Sequence, residues 1–217
     1  MTSPEIAALY SSLRHRMVDS QLRARGIADE RVLAAMERVP RHEFAAEQYH
    51  DQAYEDHPLP IGEGQTISQP YIVAVMLQDL ALAPGDRVLE VGTGSGYLTA
   101  LLAELAGMVV SIERHASLAN SSRDLLAGMG YRNVSVVIGD GTQGFPQYAP
   151  YAAIIVSAAG PDVPQALLDQ LGEGGRMVIP IGRDDSQQLR LIRMESGQPR
   201  TVFRDLCRFV PLVSNRP

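Results

Sequence analysis

The sequence predicts an α/β fold: a mostly parallel, doubly wound sheet with an antiparallel C-terminal edge and an N-terminal helical extension. Three observations carry this expectation. From Gly85 onward, short apolar runs alternate with helix-period segments, as in successive βαβ units. The first run, Val88-Leu89-Glu90-Val91, meets Gly92-Thr93-Gly94-Ser95-Gly96, a glycine turn that feeds a helix. The last two runs, residues 188–194 and 201–211, flank a Ser-Gly-Gln-Pro turn and read as an antiparallel hairpin.

Each element follows from local signals. Residues 4–25 carry Ile6, Leu9, Tyr10, Leu13, Met17 and Leu22 near helical spacing, and Gly26 ends that segment. Asp29 is placed to cap a second helix over residues 30–38, which Pro40 stops. Residues 41–64 are polar and rich in His, Tyr, Asp and Pro, and read as a short helix followed by an irregular loop. Ser68-Gln69-Pro70 opens a helix over 71–80, with Pro70 near its first turn. Beyond it, strands are expected over 87–91, 109–112, 134–138, 152–156 and 176–181. Helices are expected over 97–105, 118–129 and 163–171, with a loop through 141–150 and a turn at Gly174-Gly175. The expected organisation is an extension over 1–84 on a core over 85–217, together one compact domain.

Composition narrows the function. Of 217 residues 45% are hydrophobic, enough for a real core. A net charge of −6 argues against a general nucleic-acid binder, which shows a basic footprint. The single cysteine, Cys207, excludes an internal disulfide framework, fits a reducing compartment and reads as buried rather than reactive. The N-terminus lacks the apolar core of a signal peptide, and no apolar run approaches the ~18 residues of a membrane span. A cytoplasmic protein that binds neither membrane nor nucleic acid is expected, and a monomer.

The glycine turn holds the main chemical clue. In the dinucleotide fingerprint the third glycine falls three positions after the second. Here it falls two positions after. Glu90, just before the turn, would repel a pyrophosphate but suit a cationic ligand. Glu113 ends the next apolar run, where a carboxylate can accept hydrogen bonds from two ribose hydroxyls. Together these suggest a positively charged nucleoside without phosphate, such as S-adenosylmethionine. An ordinary turn with packing glycines and a dinucleotide site are the competing readings. After the third strand, Gly139-Asp140-Gly141 is either a simple turn or an acid within reach of an adenine ring.

Gly62-Glu63-Gly64-Gln65-Thr66-Ile67-Ser68-Gln69-Pro70 is the second distinctive stretch. It supplies hydroxyls, amides and a helix N-terminus, which suits a substrate carboxylate. Ser68 could equally serve only as the helix cap. The histidines 15, 42, 50, 57 and 115 form no metal-ligand pair, are read as mostly surface residues, and no metal site is indicated. A nucleophile elbow is absent, since Thr93 and Thr66 stand where glycine would precede Ser95 and Ser68. Arg14, His15, Arg16, Arg23 and Arg25 read as a solvated helix face, or as a patch steering an acidic peptide.

These residues together resemble the bacterial protein-L-isoaspartate O-methyltransferases. The resemblance rests on Glu90-x-Gly92-x-Gly94-x-Gly96, Glu113, Gly139-Asp140-Gly141 and the 62–70 segment. Arg38-Val39-Pro40-Arg41 with Phe44, Pro58-Leu59-Pro60-Ile61, Pro180-Ile181-Gly182 and Arg208-Phe209-Val210-Pro211-Leu212-Val213 add to it, over about residues 13–213. It departs from the family at Ala152, where many relatives carry Asp, at Phe145, where Trp is common, and across Ser157-Ala158-Ala159-Gly160.

The resemblance implies a Rossmann-like class I S-adenosylmethionine-dependent methyltransferase fold. It implies methyl transfer to the α-carboxylate of L-isoaspartyl residues in damaged proteins, with S-adenosylhomocysteine as co-product and a succinimide as the repair intermediate. The candidate cofactor residues are Thr66, Ile67, Ser68, Glu90, Gly92, Gly94, Ser95, Gly96, Glu113, Arg114, Asp140 and Gly141. Gln65, Thr66, Ser68, Val210 and Pro211 are the candidate substrate residues, and Ser68 the candidate catalytic one. The 1–84 extension would form the substrate side. A methyltransferase for a dedicated peptide carboxylate and a non-catalytic binding module remain alternatives.

Overall fold

The structure, a computed structural model, describes residues 3–183 and 186–214. The chain opens with helix α1 (Ser3–Arg16), which continues as a π-helical segment over Met17–Leu22 and a 3₁₀ turn over Arg23–Arg25. Gly26, at φ +93°, ends it in the left-handed conformation that glycine adopts without strain. Helix α2 (Glu30–Arg38) has the expected bounds, and the Asp29 carboxylate accepts from the Arg31 N–H as its cap. Two 3₁₀ turns, Arg41–Phe44 and Glu47–Gln52, lead into a hairpin of β1 (Leu59–Gly62) and β2 (Gln65–Ile67). The irregular loop expected here is thus part hairpin. Helix α3 (Pro70–Leu80) then carries Pro70 in its first turn.

The core alternates as expected: β3 (Arg87–Val91), α4 (Tyr97–Leu105), β4 (Met108–Glu113), α5 (Ala116–Gly128), β5 (Val134–Ile138) and β6 (Tyr151–Val156). Helix α6 is only Gln165–Leu168, shorter than the predicted 163–171. It stops early because Leu171 pairs with Tyr151, so that β7 runs from Leu171 to Ile181 through the Gly174-Gly175 turn predicted before it. Strands β8 (Gln187–Glu195) and β9 (Gln198–Cys207) close the sheet as an antiparallel hairpin. Its turn, Ser196-Gly197, has both residues at positive φ, as a tight primed turn requires.

The seven-stranded sheet has the order β5-β4-β3-β6-β7-β8-β9. Strands β3 to β7 are mutually parallel, and β8 is antiparallel to both its neighbours. Side chains alternate between two cores. Val88, Val109, Ala153 and Ile155 face the helical layer that contains Met17, Leu33, Leu77 and Leu101. Leu89, Val110, Ile154 and Val156 face the other, with Leu167 and Met177. Burial on both faces is why these strands read as nearly unbroken apolar runs. The chain order reverses at β3, flanked by β4 and β6, so a crevice opens beyond the carboxyl ends of these strands. Among the described residues no helix is long and apolar enough to cross a membrane.

Candidate active site

The crevice at the strand reversal is a cavity floored by the glycine turn after β3. Gly92, Gly94, Ser95, Glu113, Arg114 and Gly141 line it from the core, and Gln65, Thr66, Ile67 and Ser68 line it from the β1–β2 hairpin and its exit. Val210 and Pro211 complete the opposite rim. Twelve of the residues singled out from sequence therefore share one cavity.

Gly92 sits at φ +94°, which turns the chain off β3 directly into the cavity. At Gly141 the reason for glycine is contact: a Cβ would lie 2.3 Å from Val91 Cγ1. The turn after β5 thus packs flat against the end of β3. Glu113 is 5% exposed, and its two oxygens accept from the Gly94 and His115 backbone N–H groups, each at 2.9 Å. Each oxygen has capacity for a further donor. The carboxylate therefore shapes the rim and still offers an acceptor pair to the cavity.

Three expected cofactor residues do not line the cavity. Glu90 follows the strand alternation onto the helical face, where it is wholly buried. There its carboxyl accepts from Thr99 Oγ1 and Ser111 Oγ, each at 2.5 Å. Burial pushes its pKa up to about 8, with the nearby Glu113 charge adding to the rise. A group held in this way ties α4 and β4 to the glycine turn rather than facing a ligand. Gly96 is needed for packing, since a Cβ there would press on Leu126 and Ser122 at 3.2 and 3.3 Å. Asp140 caps the turn over Gly141–Gln143 by accepting from the Thr142 N–H and Oγ1, and its other oxygen accepts from Ser214 Oγ. It orders Gly141, which is the lining residue.

The cavity also contains residues that the sequence reading passed over as site residues, among them Ser157, Ala158, His115 and Leu212. Ser157 follows β6, and its N–H bonds to Val91 O at 2.9 Å, extending the β3–β6 ladder by one step. The signal for it was positional: in a doubly wound sheet, the residue that leaves each strand beside the switch point is a candidate.

A second cleft lies behind a shared wall of Thr66, Ser68, Ser157 and Val210. Its far side is Arg25, Tyr71, Asp205 and Cys207 through Phe209. The segment 209–212 is pinned in place from two sides. Val210 O and the Leu212 N–H bond across to Ala159, each at 2.8 Å. The buried Gln187 side-chain amide pairs with both backbone groups of Phe209, at 2.6 and 3.0 Å. Burial raises the Cys207 thiol to about 11, so it is largely protonated at neutral pH and a poor nucleophile.

Two expectations at α3 change. Gln69, not Ser68, stands at the cap position, and no side chain caps the helix there. Ser68 is therefore not spent as a cap. The helix N-terminus is also not open to a substrate carboxylate: Asp56 Oδ1 already accepts from the Tyr71 N–H at 3.0 Å. Three members of the basic cluster are paired within the chain. Arg23 pairs with Glu30 and Asp19, Arg25 with Asp56, and His15 with Asp19 and Glu37. His42 is buried, contrary to the surface reading, and stacks on Tyr10 at 3.9 Å while bonding Tyr54 Oη at 2.7 Å. Desolvation lowers its pKa, favouring the neutral ring.

Comparison with known proteins places this geometry. A sequence profile described as protein-L-isoaspartate(D-aspartate) O-methyltransferase matches residues 13–217. A protein-L-isoaspartate O-methyltransferase of Koribacter versatilis is 54% identical over 99% of this chain and 96% of its own. One from Methanoculleus marisnigri is 56% identical over 92% and 91%. A solved protein-L-isoaspartate O-methyltransferase superposes with a TM-score of 0.85 at 30% identity, covering 93% of this chain and 66% of that longer one. A Plasmodium falciparum structure described as this enzyme, in complex with S-adenosyl-L-homocysteine, gives 0.81 at 29% identity, over 93% and 99%.

Proposed function

The chain belongs to the protein-L-isoaspartate(D-aspartate) O-methyltransferase family, and on that premise we propose how its residues divide the work. It is an S-adenosylmethionine-dependent methyltransferase that acts on L-isoaspartyl residues of damaged proteins. When bound, the cofactor supplies an electrophilic methyl group on a sulfonium sulfur. The residues present fit such a ligand: Glu113 offers acceptors, its charge repels phosphate, and the glycine turn lets a ligand approach bare backbone.

The observation that carries the reading is the wall of Thr66, Ser68, Ser157 and Val210 between two clefts. Glu113, Gly92, Gly94, Ser95, Arg114 and Gly141 hold the nucleoside side. Ile67 adds to the nucleoside side, Gln65, Val210 and Pro211 hold the peptide side, and Thr66 and Ser68 stand between the two. A free carboxylate is already ionised at neutral pH, so no base is needed to generate the nucleophile. With the cofactor bound, transfer to a carboxylate oxygen would require no proton to move, so Thr66 and Ser68 would serve to orient the carboxylate rather than to exchange protons with it. What the protein contributes is alignment, which supplies up to ~7–11 kcal/mol in well-oriented cases. Residues 1–84 form most of the substrate side of this arrangement, and 85–217 its cofactor-binding core, which adds Val210 and Pro211 to the peptide rim. We place the enzyme in the cytoplasm, as a monomer without a nucleic-acid partner.

The test is methyl transfer from labelled S-adenosylmethionine to two peptides identical except for L-isoaspartate or L-aspartate at one position. Label confined to the isoaspartyl peptide, released as base-labile methanol, supports the reading. Label on neither peptide, with the cofactor bound, points to a dedicated other substrate or a binding-only protein. Ser68→Ala is expected to lower kcat by about 10- to 100-fold, the loss of one hydrogen bond to a charged group, while S-adenosylhomocysteine affinity stays within twofold. Full activity in that variant removes Ser68 from the mechanism.

A further inference from the structure

We infer that Asp56 is a positioning residue for methyl transfer, which sets the place of the Thr66–Ser68 wall from behind. The inference rests on the functional reading above. Asp56 lies outside both clefts but holds the chain that leaves the wall at three points. Oδ1 accepts from the Tyr71 N–H at 3.0 Å. Oδ2 accepts from Gln69 Nε2 at 2.8 Å, and the same amide donates to Asp56 O at 3.1 Å. Oδ2 also pairs with Arg25, whose guanidinium carbon stands 3.5 Å from the centre of the Tyr71 ring. The residue after Ser68 and the residue after Pro70 are therefore both fixed to one carboxylate.

A latch transmits position only if its own base is rigid. The segment carrying Asp56 is anchored on both sides by Arg41, which is completely buried. Arg41 Nε donates to Ala53 O at 2.8 Å, and a terminal nitrogen to His57 O at 3.4 Å. Tyr54 between them is held by His42 and by Gln21, whose amide donates to its carbonyl at 2.9 Å. Asp56 is thus the point where a stiff buried frame meets the hydroxyl-bearing segment of the wall. It also excludes the substrate carboxylate from the N-terminus of α3, by placing the chain's own carboxylate there. The incoming carboxylate is left with the wall itself, beside the cofactor side.

The experiment compares wild type, Asp56→Asn and Asp56→Ala in three readouts: kcat and KM for an L-isoaspartyl peptide, S-adenosylhomocysteine affinity by calorimetry, and melting temperature. Alanine is expected to lower kcat/KM about 30-fold or more, with cofactor affinity within threefold of wild type. Asparagine keeps an acceptor for Tyr71 but loses the Oδ2 bonds from Gln69 and Arg25, so it should recover about a third of the lost activity on a logarithmic scale. Unchanged peptide kinetics in alanine overturn the inference, as does a parallel loss of cofactor affinity, which marks a general folding role. Peptide binding to the S-adenosylhomocysteine complex, followed by fluorescence anisotropy, tests the latch without turnover. If wild type binds the isoaspartyl peptide there but transfers no methyl, the catalytic reading fails while the latch is still judged by the alanine variant's binding.

Discussion

Glu113→Ala is expected to weaken S-adenosylhomocysteine binding by about 100-fold or more, and to abolish methylation at ordinary cofactor concentrations. Two hydroxyl donors to one carboxylate are each worth about 1.5–3 kcal/mol when the acceptor is charged, and every ~1.4 kcal/mol is tenfold in affinity. The same substitution releases the Gly94 and His115 N–H groups, which now converge on the carboxylate. The glycine turn would then lose a fixed point as well as its acceptor. Glu113→Gln separates the two contributions. One acceptor oxygen remains, the charge is lost, and an NH₂ replaces an acceptor beside a backbone donor, so a loss of roughly 10- to 100-fold is expected. Titration calorimetry reads both. Alanine binding within threefold of wild type would falsify the ribose role of Glu113.

The distinction between what the sequence foretold and what it did not follows the range of the interactions. Helix α2 was legible to the residue because Asp29 caps it and Pro40 lies two residues past its end, both local signals. The glycine turn and Glu113 were legible for the same reason. The β1–β2 hairpin was not. Its strands are four and three residues long, and their pairing is set by Leu59 and Ile67 turning into the core. Its tip is fixed by Glu63, whose carboxylate accepts from Ser117 Oγ, 54 residues away. Helix α6 was over-read because apolar spacing continued to Leu171, and only the register with Tyr151 made that residue a strand. Glu90 was misplaced for a subtler reason. Its position beside the turn suggested a ligand, but strand alternation directs it with Val88 to the helical face, and Thr99 and Ser111 are there to receive it. Asp56 was invisible because its partners Arg25 and Tyr71 lie 31 and 15 residues away.

Glu90 yields the second large effect, a stability that falls with pH. An unfolded glutamate titrates near 4.5, and the buried Glu90 near 8. Between these values the native chain holds a proton that the unfolded chain has lost, so raising the pH favours unfolding. The stability that protonated Glu90 contributes is complete below about pH 4.5 and is lost as pH climbs through about 8, at ~1.4 kcal/mol per pH unit in that window. Glu90→Gln removes the titration. Its carbonyl can still accept from Thr99 and Ser111, while its NH₂ stands where Glu90 Oε1 has no partner. At pH 5.5 the folded wild-type carboxyl is itself protonated and carries a buried donor of its own, so the variant is expected to match wild type within ~1 kcal/mol there. As pH rises toward 8 the wild type should lose stability relative to the variant at ~1.4 kcal/mol per pH unit, leaving the variant the more stable of the two at pH 8.5. Urea unfolding of both proteins across this range isolates the effect, because every other titrating group is common to the two. Parallel stability curves would show that Glu90 stays ionised when folded, and that the Thr99 and Ser111 hydroxyls outweigh its desolvation.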